Sequence, residues 1–256
     1  MEIETELDKI LRKAADLGAS YASIRYQQYD YERITVENKV LKSYSSRRFV
    51  GIGITIAING AIGYASTSNL DSQNLERTLK DAVKAANSIK GKEKLLGENE
   101  VNKADVKFPV KIDSLEVSPE EKVSVVLDAN KAAWIDNKIK SAITSLGVSK
   151  DYRLFMSTEG GKVSVETAMA GLMHESVAKA NGIMERVGDQ ESMCGGFEFI
   201  ESRDWNVFAS EISNRALEAV ESKTPPAGTY TVVVDPKIIG LLLHEAFGHA
   251  SEGDLV

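Results

Sequence analysis

The spacing of apolar residues predicts that the chain begins with a helix and continues in strands. Apolar side chains recur every three or four positions from Leu7 to Leu17, which is typical of an amphipathic helix, and Gly18 would end it. Alternating polar and apolar residues then indicate half-buried strands. The predicted strands are 21–29, 31–37 and 39–44.

The next segment predicts a hairpin followed by a second helix. Between 50 and 58, valine and isoleucine alternate with glycine, threonine and alanine, so one face of this predicted strand carries only small side chains. Asn59-Gly60 is a strong signal for a two-residue hairpin turn, after which 61–65 would return. An apolar stripe then predicts a helix over 72–89.

A similar order of elements follows the charged segment 90–105, which we interpret as a linker. Residues 118–121, Ser-Pro-Glu-Glu, fit a capping box with proline in the first turn and predict a helix. Further predicted elements are strands at 140–149, 152–157, 162–173 and 176–187 and a helix at 204–221. We therefore predict an α+β fold with two similar helix–antiparallel sheet–helix units, 1–100 and 107–222, and a third segment, 223–256.

The third segment predicts a buried strand and a buried helix. Residues 229–234 form a short apolar run that favours a strand. Asp235 and Pro236 suit the N-cap and the first position of a helix. That helix is apolar on most sides, and it runs directly into residues 244–249, His-Glu-Ala-Phe-Gly-His.

Composition and charge narrow the possible partners. The 256 residues are 43% hydrophobic and 27% charged, with a formal net charge of −7. Nucleic acids and anionic membranes need a basic face, so we expect neither as a partner. The acidic N-terminus does not resemble a secretory signal, and the apolar stretch 49–65 is too short and glycine-rich to favour a membrane span. We expect a cytoplasmic protein.

Residues 244–249 contain the residue types of a catalytic zinc site. Zinc prefers imidazole, thiolate and carboxylate ligands, and a neighbouring glutamate can take a proton from metal-activated water. His244, Glu245 and His249 supply this set, so we predict zinc as the cofactor. The alternative is a buried helix whose histidines are hydrogen-bonded core residues.

The spacing of the two histidines requires an irregular helix. In the common zinc-helix motif the histidines are four residues apart, but His244 and His249 are five apart, or about 140° around a regular α-helix. Both can face one metal only if the helix bulges or ends, and we expect that irregularity at Gly248. Glu252 and Asp254 follow within about one turn; they either orient a ligand histidine or are solvated loop charges.

Other candidate residues have weaker signals. Cys194, the only cysteine, excludes an intrachain disulfide and is interpreted as a small buried thiol. His174 lies among strand residues and is interpreted as structural or exposed. Gly51 and Gly53 lie inside a predicted strand rather than at a strand-to-helix turn, which argues against a phosphate loop.

Two C-terminal stretches, 226–236 and 242–254, resemble the TldD subunit of the TldD/PmbA (TldE) family of zinc metallopeptidases. Segments 22–27, 51–53 and 59–65 are similar to the same family. The resemblance implies a cytoplasmic peptidase that cuts peptides or unfolded segments. It implies His244 and His249 as zinc ligands, Glu245 as the group acting on water, and a homo- or hetero-oligomer with a TldE-type subunit that holds extended peptide by strand addition.

The resemblance also implies a third zinc ligand, a cysteine from a long C-terminal domain. The sequence ends at Val256, so we interpret 223–256 as the truncated beginning of that metal-binding domain. We expect a half-site whose metal could be absent. Two hypotheses follow: a zinc-dependent peptidase subunit, or a catalytically inactive truncated form that acts as a peptide-binding or assembly partner.

Overall fold

Long alternating strands form one mixed sheet, and the fold is α+β as predicted. The computed structural model describes residues 2–89 and 101–252. Its helices are α1 (Glu2–Asp16), α2 (Ser72–Ser88), α3 (Pro119–Ala132), α4 (Glu198–Glu201), α5 (Trp205–Glu221) and α6 (Pro236–Leu243). Its strands are β1 (Tyr21–Glu37), β2 (Val40–Ile58), β3 (Ala61–Thr67), β4 (Lys103–Lys107), β5 (Ile139–Ser157), β6 (Lys162–Ala180) and β7 (Ile183–Cys194).

Three two-residue turns join the strands, and sequence analysis identified only one of them. Asn59-Gly60, the predicted turn, joins β2 to β3, and both residues have positive φ. Asn38-Lys39 and Asn181-Gly182 have the same left-handed conformation and join β1 to β2 and β6 to β7. The predicted strands 39–44 and 176–187 were therefore wrong in their limits, because a turn with two positive φ values interrupts the pleat at each site.

The sheet order is β3-β2-β1-β5-β6-β4, and β7 also pairs with β6. One edge of β6 thus has two neighbours: β4 pairs in parallel with its first residues, and β7 pairs antiparallel with the rest. Part of the predicted linker 90–105 is wrong, because Lys103 to Asp105 belong to β4. The segment 90–100 lies outside the described residues.

Helices cover one face of the sheet. Ile24 and Ile34 lie an even number of residues apart on β1 and so point to the same face. Ile24 packs in a first core cluster with α1 and α2, and Ile34 packs in a second with α3 and α5. Large buried members of the first cluster are Leu7, Ile10, Ile54, Leu75, Leu79 and Leu154. Those of the second are Val126, Leu146, Leu172, Phe197 and Trp205.

The chain divides into two units by its internal contacts, 1–221 and 222–256. The strands of both predicted N-terminal domains lie in the single sheet of the first unit, and their division near 100–107 stays a prediction. In the second unit, the predicted strand 229–234 is wrong: these residues pair with no strand, and their apolar side chains are exposed. Helix α6 forms as predicted, but it is exposed rather than buried. None of the described helices is both long and apolar enough to cross a membrane.

Candidate metal centre

Helix α6 begins with the capping residues expected from the sequence. The backbone N–H of Ile238 donates to Asp235 Oδ1 at 2.8 Å, which satisfies one of the free amides at the helix start. Pro236 occupies the first turn, where its missing N–H costs nothing. The helix then runs without interruption to Leu243 and positions the histidine motif at its C-terminal end.

The helix changes geometry at the motif itself. Residues His244–Gly248 form one π-helical turn, in which the backbone N–H of His249 donates to the carbonyl of His244. A short 3₁₀ turn, His249–Ser251, follows. A π turn closes its hydrogen bond across five residues instead of four. It therefore brings residues five apart back to one side, where a regular α-helix would separate them.

The π turn groups three side chains that can bind a metal. Ligand atoms of His244, Glu245 and His249 all lie within 4.8 Å of one another. The two imidazole rings have centroids 4.7 Å apart at an interplanar angle of 69°. His249 Nε2 lies 3.7 Å from Glu245 Oε2. All three side chains are exposed, so small rotations about their side-chain bonds are unhindered by packing.

The other ring nitrogen of His249 has a carboxylate partner. His249 Nδ1 lies 2.6 Å from Glu252 Oε1, at hydrogen-bonding distance. A carboxylate bonded to Nδ1–H leaves Nε2 as the nitrogen with a free lone pair. Asp254, the second predicted supporting carboxylate, lies outside the described residues.

The donor set fits zinc. Zinc accepts imidazole nitrogens at about 2.0–2.1 Å, and the Glu245 carboxylate beside them could serve either as a further ligand or as a base. Two such ligands at a tetrahedral zinc would stand about 3.4 Å apart, so ligand atoms as much as 4.8 Å apart would have to approach by roughly 1.4 Å. Because the three side chains are exposed, changes of rotamer can bring these atoms together without movement of the backbone.

His174 is a structural residue, which is one of the two interpretations that the sequence left open. Its side chain is fully buried under the helices. Nδ1 lies 2.8 Å from Thr144 Oγ1, and Nε2 lies 2.9 Å from Ser176 Oγ. Burial lowers the pKa of His174 to about 4, so the ring is neutral near pH 7. Because both nitrogens have partners inside the core, neither is available to a metal.

Cys194 corrects the sequence analysis. The thiol was expected to be buried, but it is exposed at the end of β7, where it pairs opposite Met169. Of the strands that the structure describes, only β6 pairs with β7, so Cys194 lies at an edge of the sheet. Among the described residues, the metal-binding group contains no cysteine.

Four further residues lie together on the face of the sheet opposite the helices, and the sequence did not reveal them. Tyr29, Tyr31 and Arg33 occupy alternating positions of β1 and share a face with Phe49 on β2. The alternation within 21–37 could have identified this set, but the predicted break at Asp30 split it between two strands. The continuous β1 places all four side chains together.

Most of the chain matches two domains of one metallopeptidase family. A family model described as PmbA/TldA metallopeptidase domain 1 matches residues 22–86, and one described as PmbA/TldA metallopeptidase central domain matches residues 112–220. Together they cover more than half of the chain. The histidine motif lies C-terminal to both matched ranges.

Two curated relatives extend the similarity across nearly the whole chain. A metalloprotease of Methanocaldococcus jannaschii is 31% identical over 98% of this chain and 55% of its own length. A protein named zinc metalloprotease TldD homolog, from Saccharolobus solfataricus, is 27% identical over 96% of this chain and 54% of its own length. The chain therefore spans about half the length of these relatives.

A solved structure supports the fold. The crystal structure of TldE from Thermococcus kodakarensis superposes with a TM-score of 0.68, covering 84% of this chain and 47% of that one. The sequence identity is 19%, so this similarity concerns the fold alone.

Proposed function

Since the chain belongs to the TldD/PmbA metallopeptidase family, we propose that His244 and His249 bind a catalytic zinc ion and that Glu245 is the general base of peptide hydrolysis. The observation that carries this proposal is the π turn. It compensates for the five-residue spacing and groups the ligand atoms of all three side chains within 4.8 Å. Sequence spacing and backbone geometry thus favour the same set of residues.

The proposed roles follow from the chemistry of each side chain. A zinc ion bound by the histidines supplies Lewis acidity that activates water and polarises the scissile carbonyl. Glu245 accepts a proton from the attacking water and later donates it to the leaving amine. Glu252, bonded to His249 Nδ1, holds the ring with Nε2 free to bind.

The substrate and the partner are also part of the proposal. The family resemblance favours peptides or unfolded segments as substrates and an oligomer with a TldE-type subunit. The structural similarity to TldE supports a partner of related fold. A catalytic zinc site ordinarily has three protein ligands, and the resemblance assigns the third to a cysteine of a C-terminal domain.

The test is a zinc titration combined with a peptide-cleavage assay. We expect about one zinc per chain and cleavage of an unstructured fluorogenic peptide. Glu245→Gln should retain zinc but lose roughly 10²–10⁴-fold in the cleavage rate, since the general base is removed and both ligand histidines remain. Glu252→Gln should weaken zinc binding by about tenfold, since it frees the ring of His249.

The matched control is Glu218→Gln, which changes an exposed glutamate of α5 and should leave zinc binding and cleavage unchanged. Cleavage by Glu245→Gln at the wild-type rate would exclude Glu245 as the base. A chain that binds no metal in excess zinc and cleaves no peptide would favour the alternative, a peptide-binding or assembly partner.

A further inference from the structure

The face of the sheet opposite the helices carries a row of stacked aromatic rings. Tyr29 and Tyr31 stack with centroids 6.1 Å apart at 11°, and Phe49 stacks on Tyr29 at 6.5 Å and 29°. Phe49 is paired directly across from Tyr29 in the β1–β2 register and is 53% exposed. Stacked rings with exposed surface provide a rigid apolar wall.

A cavity of 310 Å³ adjoins this wall. Its floor is Gly147 on β5 and Gly171 on β6, which are paired with each other. A Cβ at Gly147 would lie 3.7 Å from the Tyr31 ring, so the ring borders the space above this glycine. Met169 and Met173 flank Gly171 on the same face and form the opposite wall.

One arginine without a carboxylate partner among the described residues lines the cavity, and a second lies across from the lining residue Tyr31. Arg33 lines the cavity, and Arg47 is paired opposite Tyr31 on β2. Within the part of the chain that the structure describes, neither guanidinium has a hydrogen bond or an ion pair. Among the described residues that line the cavity, Glu191 is the only acidic one, and it pairs with Arg203 at 3.0 Å. The cavity thus has uncompensated positive charge in a chain of net charge −7.

We propose that this cavity binds a peptide that carries a carboxylate beside a large apolar side chain. The apolar side chain lies over Gly147, between Tyr31 and the two methionines. The carboxylate pairs with Arg33, whose planar guanidinium matches a carboxylate in two parallel hydrogen bonds. The choice of a peptide as the occupant rests on the proposed peptidase function.

Charge and size favour this ligand over a nucleic acid. A single-stranded nucleic acid also stacks on aromatic rings and pairs with arginine. It would, however, bring many phosphates to a chain with an excess of acidic residues, and its binding needs a continuous basic groove. One carboxylate needs only the local positive charge of Arg33 and Arg47.

The experiment compares two labelled peptides on the full chain by fluorescence anisotropy. Both end in phenylalanine, one with a free carboxylate and one with a carboxamide. Zinc is removed with a chelator, so binding is measured without cleavage. We expect the free acid to bind about tenfold more tightly than the amide, and Arg33→Gln to abolish that difference.

Two further variants separate the cavity from general effects. Gly147→Val projects a side chain above the floor and should weaken both peptides about tenfold, while valine suits the strand. Arg77→Gln, an exposed arginine on α2, should bind both peptides as the wild type does. Circular dichroism checks that each variant keeps the native fold.

Three results would overturn the proposal: equal affinity for acid and amide, unchanged discrimination in Arg33→Gln, or no peptide binding at all. Displacement of the peptide by a short oligothymidylate at equal concentration would identify phosphate as the ligand and would also overturn it. The zinc and cleavage measurements are independent of this assay, so a failure of the proposed peptidase activity is distinguishable from a failure of the cavity assignment.

Discussion

At the scale of single residues, His174 is held neutral inside the core. Its two ring nitrogens form hydrogen bonds with Thr144 and Ser176. The Oγ of Ser176 also forms a hydrogen bond with the Oγ of Ser213 at 2.7 Å. Each hydroxyl in this network can act as donor or acceptor, which suits a neutral imidazole. A protonated ring would have to donate from both nitrogens, and its hydrogen-bond partners among the described residues carry no charge.

We expect the free energy of unfolding to fall as pH decreases between about 6.5 and 4. In this range His174 is protonated in the unfolded chain. In the folded chain it stays neutral, because its pKa is about 4. The unfolded state therefore gains protons, and stability should be lower by about 2 kcal/mol at pH 5 than at pH 7. Urea unfolding followed by tryptophan fluorescence measures this difference.

The control for this effect is His174→Asn, which keeps a polar side chain but cannot titrate. It should be less stable than the wild type at pH 7, yet its stability should change little between pH 7 and pH 5. A His174→Asn variant with the wild-type pH dependence would assign the effect to other groups.

The sequence predicts the candidate site at residue scale better than it predicts the core network. His244, Glu245 and His249 are close enough in sequence for their spacing to predict both a metal site and an irregular helix, and the π turn confirms the irregular helix. The partners of His174 come from β5, β6 and α5, which are distant in sequence. Their juxtaposition depends on strand register, so no local pattern could have identified them.

At the scale of elements, a glycine determines how closely α2 approaches the sheet. Gly63 on β3 lies against the backbone of α2, where an added Cβ would overlap the carbonyl oxygen of Ala82 and the nitrogen of Ala86. Small residues at 82 and 86 allow the same close contact from the helix side. The helix and the strand therefore pack backbone to backbone.

Gly63→Ala should destabilise the protein by about 3 kcal/mol, since the added methyl forces α2 away from β3. Gly147→Ala is the matched control: the same methyl on the uncovered face meets only the Tyr31 ring at an ordinary distance, and the change should be within about 0.5 kcal/mol. Thermal or urea denaturation measures both. Equal destabilisation by the two substitutions would contradict the backbone contact.

The sequence largely predicted which segments are helices and which are strands, but it did not predict where each one begins and ends. The helix caps at Ser118 and Asp235 are local signals, and both form the predicted side-chain hydrogen bonds. Asn38-Lys39 lacks the glycine that usually marks a hairpin, so its turn was not recognised. Asn181-Gly182 has that signal, and the predicted strand 176–187 overlooked it.

At the scale of the whole molecule, the sheet joins the two halves of residues 1–221. β1 pairs with β5 along most of its length, from Ser23 with Ser157 to Glu37 with Ile143. Each strand contributes side chains to both core clusters. The two clusters are thus connected through shared strands, which a sequence-based division into domains could not detect, because the pairing is long-range.

Leu79→Ala should lower the free energy of unfolding by about 3 kcal/mol. Tryptophan fluorescence should report this loss, although both tryptophans lie in the half of residues 1–221 that does not contain Leu79. Leu79 is 2% exposed in the first cluster, whereas Trp205 packs in the second and Trp134 packs against it. Because the two clusters share strands, we expect one cooperative unfolding transition. Tryptophan fluorescence and far-UV circular dichroism should both show it at the same denaturant concentration. Leu17→Ala, at a 47% exposed position, should have little effect.

A Leu79→Ala variant with an unchanged fluorescence transition and a separate, earlier loss of circular dichroism would show that the halves unfold independently. That outcome would support the boundary predicted near 100–107.

The π turn at 244–248 can be described as the accommodation of one inserted residue. A regular α-helix brings together histidines four apart, and a π turn brings together histidines five apart. Shortening 245–248 by one residue would therefore not destroy the facing arrangement of the histidines if the helix relaxed to α geometry at the same step. Both spacings place the two histidines on one side of the helix. An insertion or deletion in this segment therefore keeps that arrangement only when the backbone hydrogen-bond period changes with it.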